Sequence, residues 1–356
     1  MENDLTKKFW SGTRFFIIAA STVIIIAGMK AMSNLILVIL IALFITAMSL
    51  SPFLWLKKKK VPEVLSLIIV IALIIGLVYT FSLLFAISVS GFSERLPFYK
   101  EQLNQLWIGM HEWLIEIELI DEESNIMSLI KSSNLMRSSG SVVSGLGTLI
   151  SDPFLVLFVY IFMMLEVSIF GEKMKLISIK TIGGMNIIVA NIKKYFAIKF
   201  LTSFITGLII YIGLLFIGVD FALLWGLIAF VLNFIPSIGS IFAAIPAILL
   251  AFIQLDPYSG IITGILYLSI NVIIGSVLEP PLMGRNLGLS PLVVFLSLLI
   301  WGYILGPIGM LISAPLTMIL KIIFDNRRQT ITVGIIIGDK SSIKELEKRK
   351  NHIDYS

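Results

Sequence analysis

The stretch Asn271–Thr317 reads NVIIGSVLEPPLMGRNLGLSPLVVFLSLLIWGYILGPIGMLISAPLT. Its apolar residues run long enough to cross a membrane, yet Pro280, Pro281, Pro291, Pro307 and Pro315 interrupt them, and Glu279 and Arg285 lie inside. A helix that only anchors a chain in lipid has no use for these residues. Each proline removes an N–H and frees a carbonyl, and in hydrocarbon an unsatisfied backbone group costs several kcal/mol unless protein or a watery cavity receives it. A charged side chain at mid-membrane costs about 2.5–3.5 kcal/mol on insertion scales, so it marks a functional site by default. Broken helices that carry buried charge point to a transport site.

The rest of the chain supplies the matching environment. Of its 356 residues, 58% are hydrophobic and 14% charged, with a mean hydropathy of +1.00. Soluble domains are about 45–50% apolar and about 25% charged, so the composition is that of an integral membrane protein. Apolar runs predict spans near 14–30, 33–56, 62–90, 149–170, 200–218, 221–253, 259–278 and 291–320. That is about eight helices of at least the ~17 residues a bilayer core requires. The expected fold is therefore all-α, with Pro/Gly-broken or re-entrant segments at 236–253 and 279–290. The length and flanks of the first run fit an uncleaved anchor better than a cleaved signal.

Four regions follow: a three-span N-terminal region (1–90), an extracytoplasmic helical insertion (91–148), a transport core with broken helices (149–322), and a basic tail (323–356). Eight spans put both termini on one side, together with Lys57–Lys60, the 172–199 stretch and most of the 27 basic residues. The positive-inside rule makes that side cytoplasmic, in a bacterial inner membrane. The lysines of 172–199 read as a cytoplasmic amphipathic helix serving orientation and anionic-lipid attraction. A basic membrane-surface tail needs no nucleic acid to explain it.

In the insertion, Leu96, Tyr99, Leu103, Leu106, Met110, Trp113, Ile117 and Ile120 recur at alternating three- and four-residue spacing, a narrow helical stripe. Such a stripe packs on its own protomer, or else serves self-association or covers an outer cavity.

Two constellations carry candidate chemistry. Asn233, Pro236 and Gly239, followed by Pro246, break the sixth apolar run; Pro307 and Gly309, followed by Pro315, break the last. Each set follows a Trp-Gly pair, Trp225–Gly226 and Trp301–Gly302, and paired interruptions of this kind point to transporter binding sites. A kink packed against small neighbours is the competing reading of either set. Glu279 precedes Pro280 and Pro281, which are expected to end its helix. Its carboxylate suits a proton or a monovalent cation. Arg285, after Gly284, could pair with Glu279 or hold an anionic or hydroxyl-rich substrate, or else reach the lipid headgroups. Glu166, near the inner end of the fourth span, is a further candidate. Asp152, Asp220 and Asp256 fall at span ends and read as caps.

Other chemistries lack their parts. The chain has no cysteine, and its two histidines, His111 and His352, lie outside the expected spans, which excludes thiolate sites and an intramembrane histidine relay. The segment 334–341 lacks the spacing of a phosphate loop, and no zinc-protease signature occurs. Neither enzymatic activity nor a cofactor nor a metal is expected.

The segments NFIPSIGSIFAAIPAILLAF and LEPPLMGRNLGLSPLVVFLSLLIWGYILGPIGMLISAPLTMILK resemble the autoinducer-2 exporter (AI-2E) family of bacterial permeases. The long segment after the third span agrees. The resemblance implies a homo-oligomeric transporter whose broken C-terminal half is the transport core. The leading expectation is a secondary permease exporting a small polar solute, autoinducer-2 by family default. The alternatives are a sodium (or other monovalent cation)/proton antiporter, and a membrane scaffold that recruits a partner through 91–148.

Overall fold

The computed structural model describes residues 2–117, 153–175, 179–236, 238–283, 288–325 and 330–339. These are helical almost throughout, apart from turns and an isolated bridge between Leu289 and Gly338. In chain order the helices are α1 (Glu2–Ala31), α2 (Ser33–Lys58), α3 (Glu63–Glu116), α4 (Pro153–Lys175), α5 (Ile179–Ile217) and α6 (Ala222–Leu232). They continue as α7 (Gly239–Gln254), α8 (Pro257–Ile270), a π-helix (Asn271–Leu278), α9 (Glu279–Met283), α10 (Pro291–Leu311), α11 (Ser313–Asp325) and α12 (Ile331–Ile337).

Five stretches among the described residues are long and apolar enough to cross a membrane: 33–58, 63–106, 190–217, 257–278 and 291–311. Shorter apolar helices at 19–31, 154–166, 222–232 and 239–254 accompany them. On α3, Ile68, Leu73, Leu77 and Ile87 are exposed, the surface a bilayer would cover. This is an all-α, multi-pass membrane protein.

Local sequence sets the boundaries. Asp256 caps α8 by accepting the Ser259 N–H at 2.8 Å, with Pro257 at the first helical position. Ser290 caps α10 the same way through Val293, ahead of Pro291. The α5–α6 turn uses two left-handed residues, Gly218 and Phe221. Beyond it the two helices run back along each other and cross at Gly207 and Gly226. A Cβ on Gly207 would lie 2.7 Å from the Gly226 carbonyl oxygen, and one on Gly226 would lie 2.8 Å from that of Gly207. Without a hydrophobic drive between helices in lipid, this backbone proximity is what lets dispersion hold the hairpin together.

Helix α3 spans 54 residues, roughly 80 Å at 1.5 Å per residue, well beyond the ~30 Å apolar core. It therefore runs unbroken through Pro97 and past residue 90, where the insertion was expected to start. Its upper part packs on the chain's own core: Phe92 and Tyr99 join Trp225, Ile228 and Leu214 in one buried cluster. Farther along the predicted stripe Leu106 and Ile117 are exposed, and Ile120, its last residue, lies outside the described residues.

A second cluster joins Phe44 of α2, Tyr195 and Phe196 of α5, and Ile304, Ala314 and Met318 of α10–α11. A third holds α2, α3 and α4 through Phe53, Val70, Tyr160 and Met164. The α5–α6 hairpin and the α8–π-helix segment each turn one face to the first cluster, through Ile210, Leu214, Trp225, Tyr267 and Ile274, and leave Leu208, Ile212, Ile265 and Leu268 exposed.

Candidate transport site

Glu279 does not end its helix. The π-helix continues directly into α9, and the Glu279 N–H donates to the Ile274 carbonyl five residues back. Pro280 and Pro281 cannot donate, so the turn before them lacks its ordinary partners, and the wider winding is the local answer. The two prolines sit in the first turn of α9.

The wider turn sets the Glu279 carboxylate against α5. Lys199 Nζ donates to Glu279 Oε1 at 2.7 Å, and the two side chains are only 5% and 15% exposed. Lys199 was expected among the surface lysines of 172–199; the structure buries it instead. The pairing expected between Glu279 and Arg285 cannot be placed, because Gly284 and Arg285 lie outside the described residues. Opposite charges in such a site neutralise each other, and either one left alone there would be strongly destabilising.

Lys199 begins a polar line. Thr202, Ser203 and Thr206 follow it at spacings that keep all four on one face of α5, and all are buried. Ser203 accepts a hydrogen bond from the Asn233 side-chain amide at 3.0 Å. Thr206, about 10 Å along the helix from Lys199, opens on a cavity that it lines with Asn233, Ser240, Tyr267 and Asn271, between Ile210, Ala243 and Ile274. The cavity leaves about 10 Å³ for the centre of a water molecule, one water site. The Thr206 and Tyr267 hydroxyls in its wall have no hydrogen-bond partner, nor has the Thr263 hydroxyl one turn from Tyr267. Buried hydroxyls are nearly always paired, so these fit a cavity built to be occupied. All polar side chains lining it are uncharged.

Among the predicted site residues, Asn233 and Glu279 reach this region. Pro236 and Gly239 form the α6–α7 break, where Gly239 packs on the Leu232 carbonyl, and Pro246 lies inside α7. Pro307 and Gly309 follow a positive-φ kink at Gly306 inside α10, with Gly309 packed on the Trp301 carbonyl, and Pro315 lies in the first turn of α11. These breaks shape the backbone and do not line the cavity. The two tryptophans also differ: Trp225 donates to the Asp220 carbonyl, Trp301 to the Thr317 hydroxyl. Glu166 is exposed on α4. Among the described residues no group of three or more His, Asp or Glu converges as a metal site would. Sequence reasoning missed Lys199, Thr206, Tyr267 and Asn271. The available signal was the Lys199–Thr202–Ser203–Thr206 spacing within an apolar run.

Comparison with known proteins gives the family. The family model described as "AI-2E family transporter" matches residues 19–329. The Escherichia coli K12 protein named "Putative transport protein YhhT" is 32% identical over 333 residues, covering 92% of this chain and 95% of its own length. The "AI-2 transport protein TqsA" of the same organism is 33% identical over 338 residues, covering 92% and 96%. "Putative transport protein YueF" of Bacillus subtilis is 26% identical over 298 residues, covering 78% and 80%. With its broken helices, buried ion pair and full-length relatives, the chain belongs to the AI-2E family of transporters.

Proposed function

We propose that this protein is a secondary permease that carries a small polar solute out of the cell, an autoinducer-2-like molecule in the first instance. The supporting observation is the set of uncharged polar side chains Thr206, Asn233, Ser240, Tyr267 and Asn271, which here enclose room for one water and would part further to take a solute, near the buried Lys199–Glu279 pair. Neutral hydroxyls and amides suit a solute that hydrogen-bonds without carrying charge. The ion pair stands between the cavity and one end of the path, where its opening would admit the solute. The named substrate and the export direction lean on family likeness, including TqsA, whose name gives AI-2 as its cargo.

A cation/proton antiporter would need the Glu279 carboxylate free for its ion. Lys199 already occupies it at 2.7 Å, which favours the solute reading. The same reading has both termini in the cytoplasm, from the basic residues, a homo-oligomer in the membrane, and no catalytic step. Uptake of labelled autoinducer-2 by proteoliposomes tests it, alongside sodium-driven proton flux in the same vesicles. Solute flux without cation exchange supports the proposal, and cation exchange without solute flux overturns it.

A further inference from the structure

We infer that Arg95, Tyr99 and Asp220 form a second gate of the same path, at the end opposite the Lys199–Glu279 pair; this rests on reading the Thr206–Tyr267 cavity as the solute site. Along α5, Lys199 lies on one side of Thr206, and the Gly218–Phe221 turn lies about 18 Å away on the other. Along α5 the buried Lys199–Glu279 pair, the uncharged chamber and the Asp220 cluster thus follow one another in that order.

The second lock ties three parts of the chain together. One Asp220 carboxylate oxygen accepts from Arg95 Nη1 at 2.8 Å and from the Tyr99 hydroxyl at 2.7 Å. The Asp220 N–H donates to Gln254 Oε1 of α7 at 2.7 Å, and the Asp220 carbonyl accepts from Trp225 Nε1 at 3.1 Å. Beneath the carboxylate, Phe92 packs edge-on against Phe221 and Trp225, with ring centroids 5.7 and 5.6 Å apart. Trp225 is one helical turn from Ala229, which lines the chamber. The aromatic layer is part of the core cluster that also holds Ala229 of the chamber wall.

The properties of α3 distinguish a gate from a fixed brace. Pro97 falls between Arg95 and Tyr99 and cannot donate to the Ser93 carbonyl, so α3 is weakened within the lock itself. Arg95 is 61% exposed and Asp220 28%, so water can receive both charges when they part. The Lys199–Glu279 pair has no such access.

The chain has no native cysteine, so Thr206→Cys gives a single thiol inside the chamber. A membrane-impermeant methanethiosulfonate is added to intact cells, which expose one face, or to inverted vesicles, which expose the other. In the Thr206→Cys background, Arg95→Ala or Asp220→Asn is expected to raise labelling about two- to fivefold from one face only, the effect of losing one solvent-exposed ion pair. Lys199→Met is expected to raise it from the opposite face. If Asp220→Asn yields no folded protein, Arg95→Ala and Tyr99→Phe decide. Labelling that is unchanged, or that rises equally from both faces, overturns the gate. Thiol labelling does not depend on which solute passes, so this failure and failure of the permease reading are separately visible.

Discussion

Lys199 Nζ and Glu279 Oε1 stand 2.7 Å apart although 80 residues separate them in sequence. Both are taken out of water, so each depends on the other more than a surface pair would. Replacing one partner, by Lys199→Met or Glu279→Leu, should cost about 3–5 kcal/mol by leaving an uncompensated buried charge. The double replacement should be close to the wild type, since an apolar pair of similar volume is often neutral or better. Thermal unfolding in detergent reads the difference. Additive losses in the double variant would show that the two charges do not support each other.

The unpartnered hydroxyls of Thr206 and Tyr267 separate stability from transport. Thr206→Val and Tyr267→Phe each remove a buried group with no partner, which is neutral or stabilising for the fold. Solute flux should nevertheless fall, because the cavity loses hydrogen-bonding groups. Equal melting temperatures with reduced flux are expected; a lower melting temperature with unchanged flux would assign these hydroxyls to the fold.

The Gly207–Gly226 crossing offers a packing test. Gly226→Ala puts a methyl 2.8 Å from the Gly207 carbonyl oxygen and from the Tyr211 Cβ. Overpacking of this kind costs about 1–3 kcal/mol. Gly76→Ala, on a helix face with nothing within 4 Å, should leave stability unchanged or raise it by up to ~1 kcal/mol. Comparing the two variants by thermal denaturation isolates the crossing from the general effect of losing a glycine.

Asp256 gives a pH dependence outside the span. The Ser259 N–H, and then the Ser259 hydroxyl, hold its carboxyl below the usual carboxylate range. A carboxylate whose folded pKa is depressed stabilises the fold above its unfolded pKa, and that contribution is lost as pH falls through the folded value. Asp256→Ala should therefore lower stability at neutral pH and converge with the wild type in acid. A constant gap between the two across the acid range would remove the capping carboxylate as the cause.

The fold class and the helix breaks around Pro236 and Pro307 were legible in the sequence, because apolar length and proline placement are local signals. The partner of Glu279 was not. Lys199 closes a run of basic residues, so charge counting groups it with the surface, and only the packing of α5 against the π-helix takes it inside. The prolines were read as a stop, but the chain absorbed them by widening one turn, which no sequence period reveals. Asp220 likewise passed for a cap, since its bonds to Arg95 and Tyr99 depend on how far α3 runs beyond the membrane core.

The most direct test of the central claim is solute flux in proteoliposomes carrying wild type, Glu279→Leu, or the Lys199→Met/Glu279→Leu double variant, each normalised to folded protein. The account predicts autoinducer-2 flux in the wild type and none in either variant, even where the double variant folds as well as the wild type. Full flux through a well-folded double variant would contradict it, because the buried pair would then be a structural tie with no part in transport.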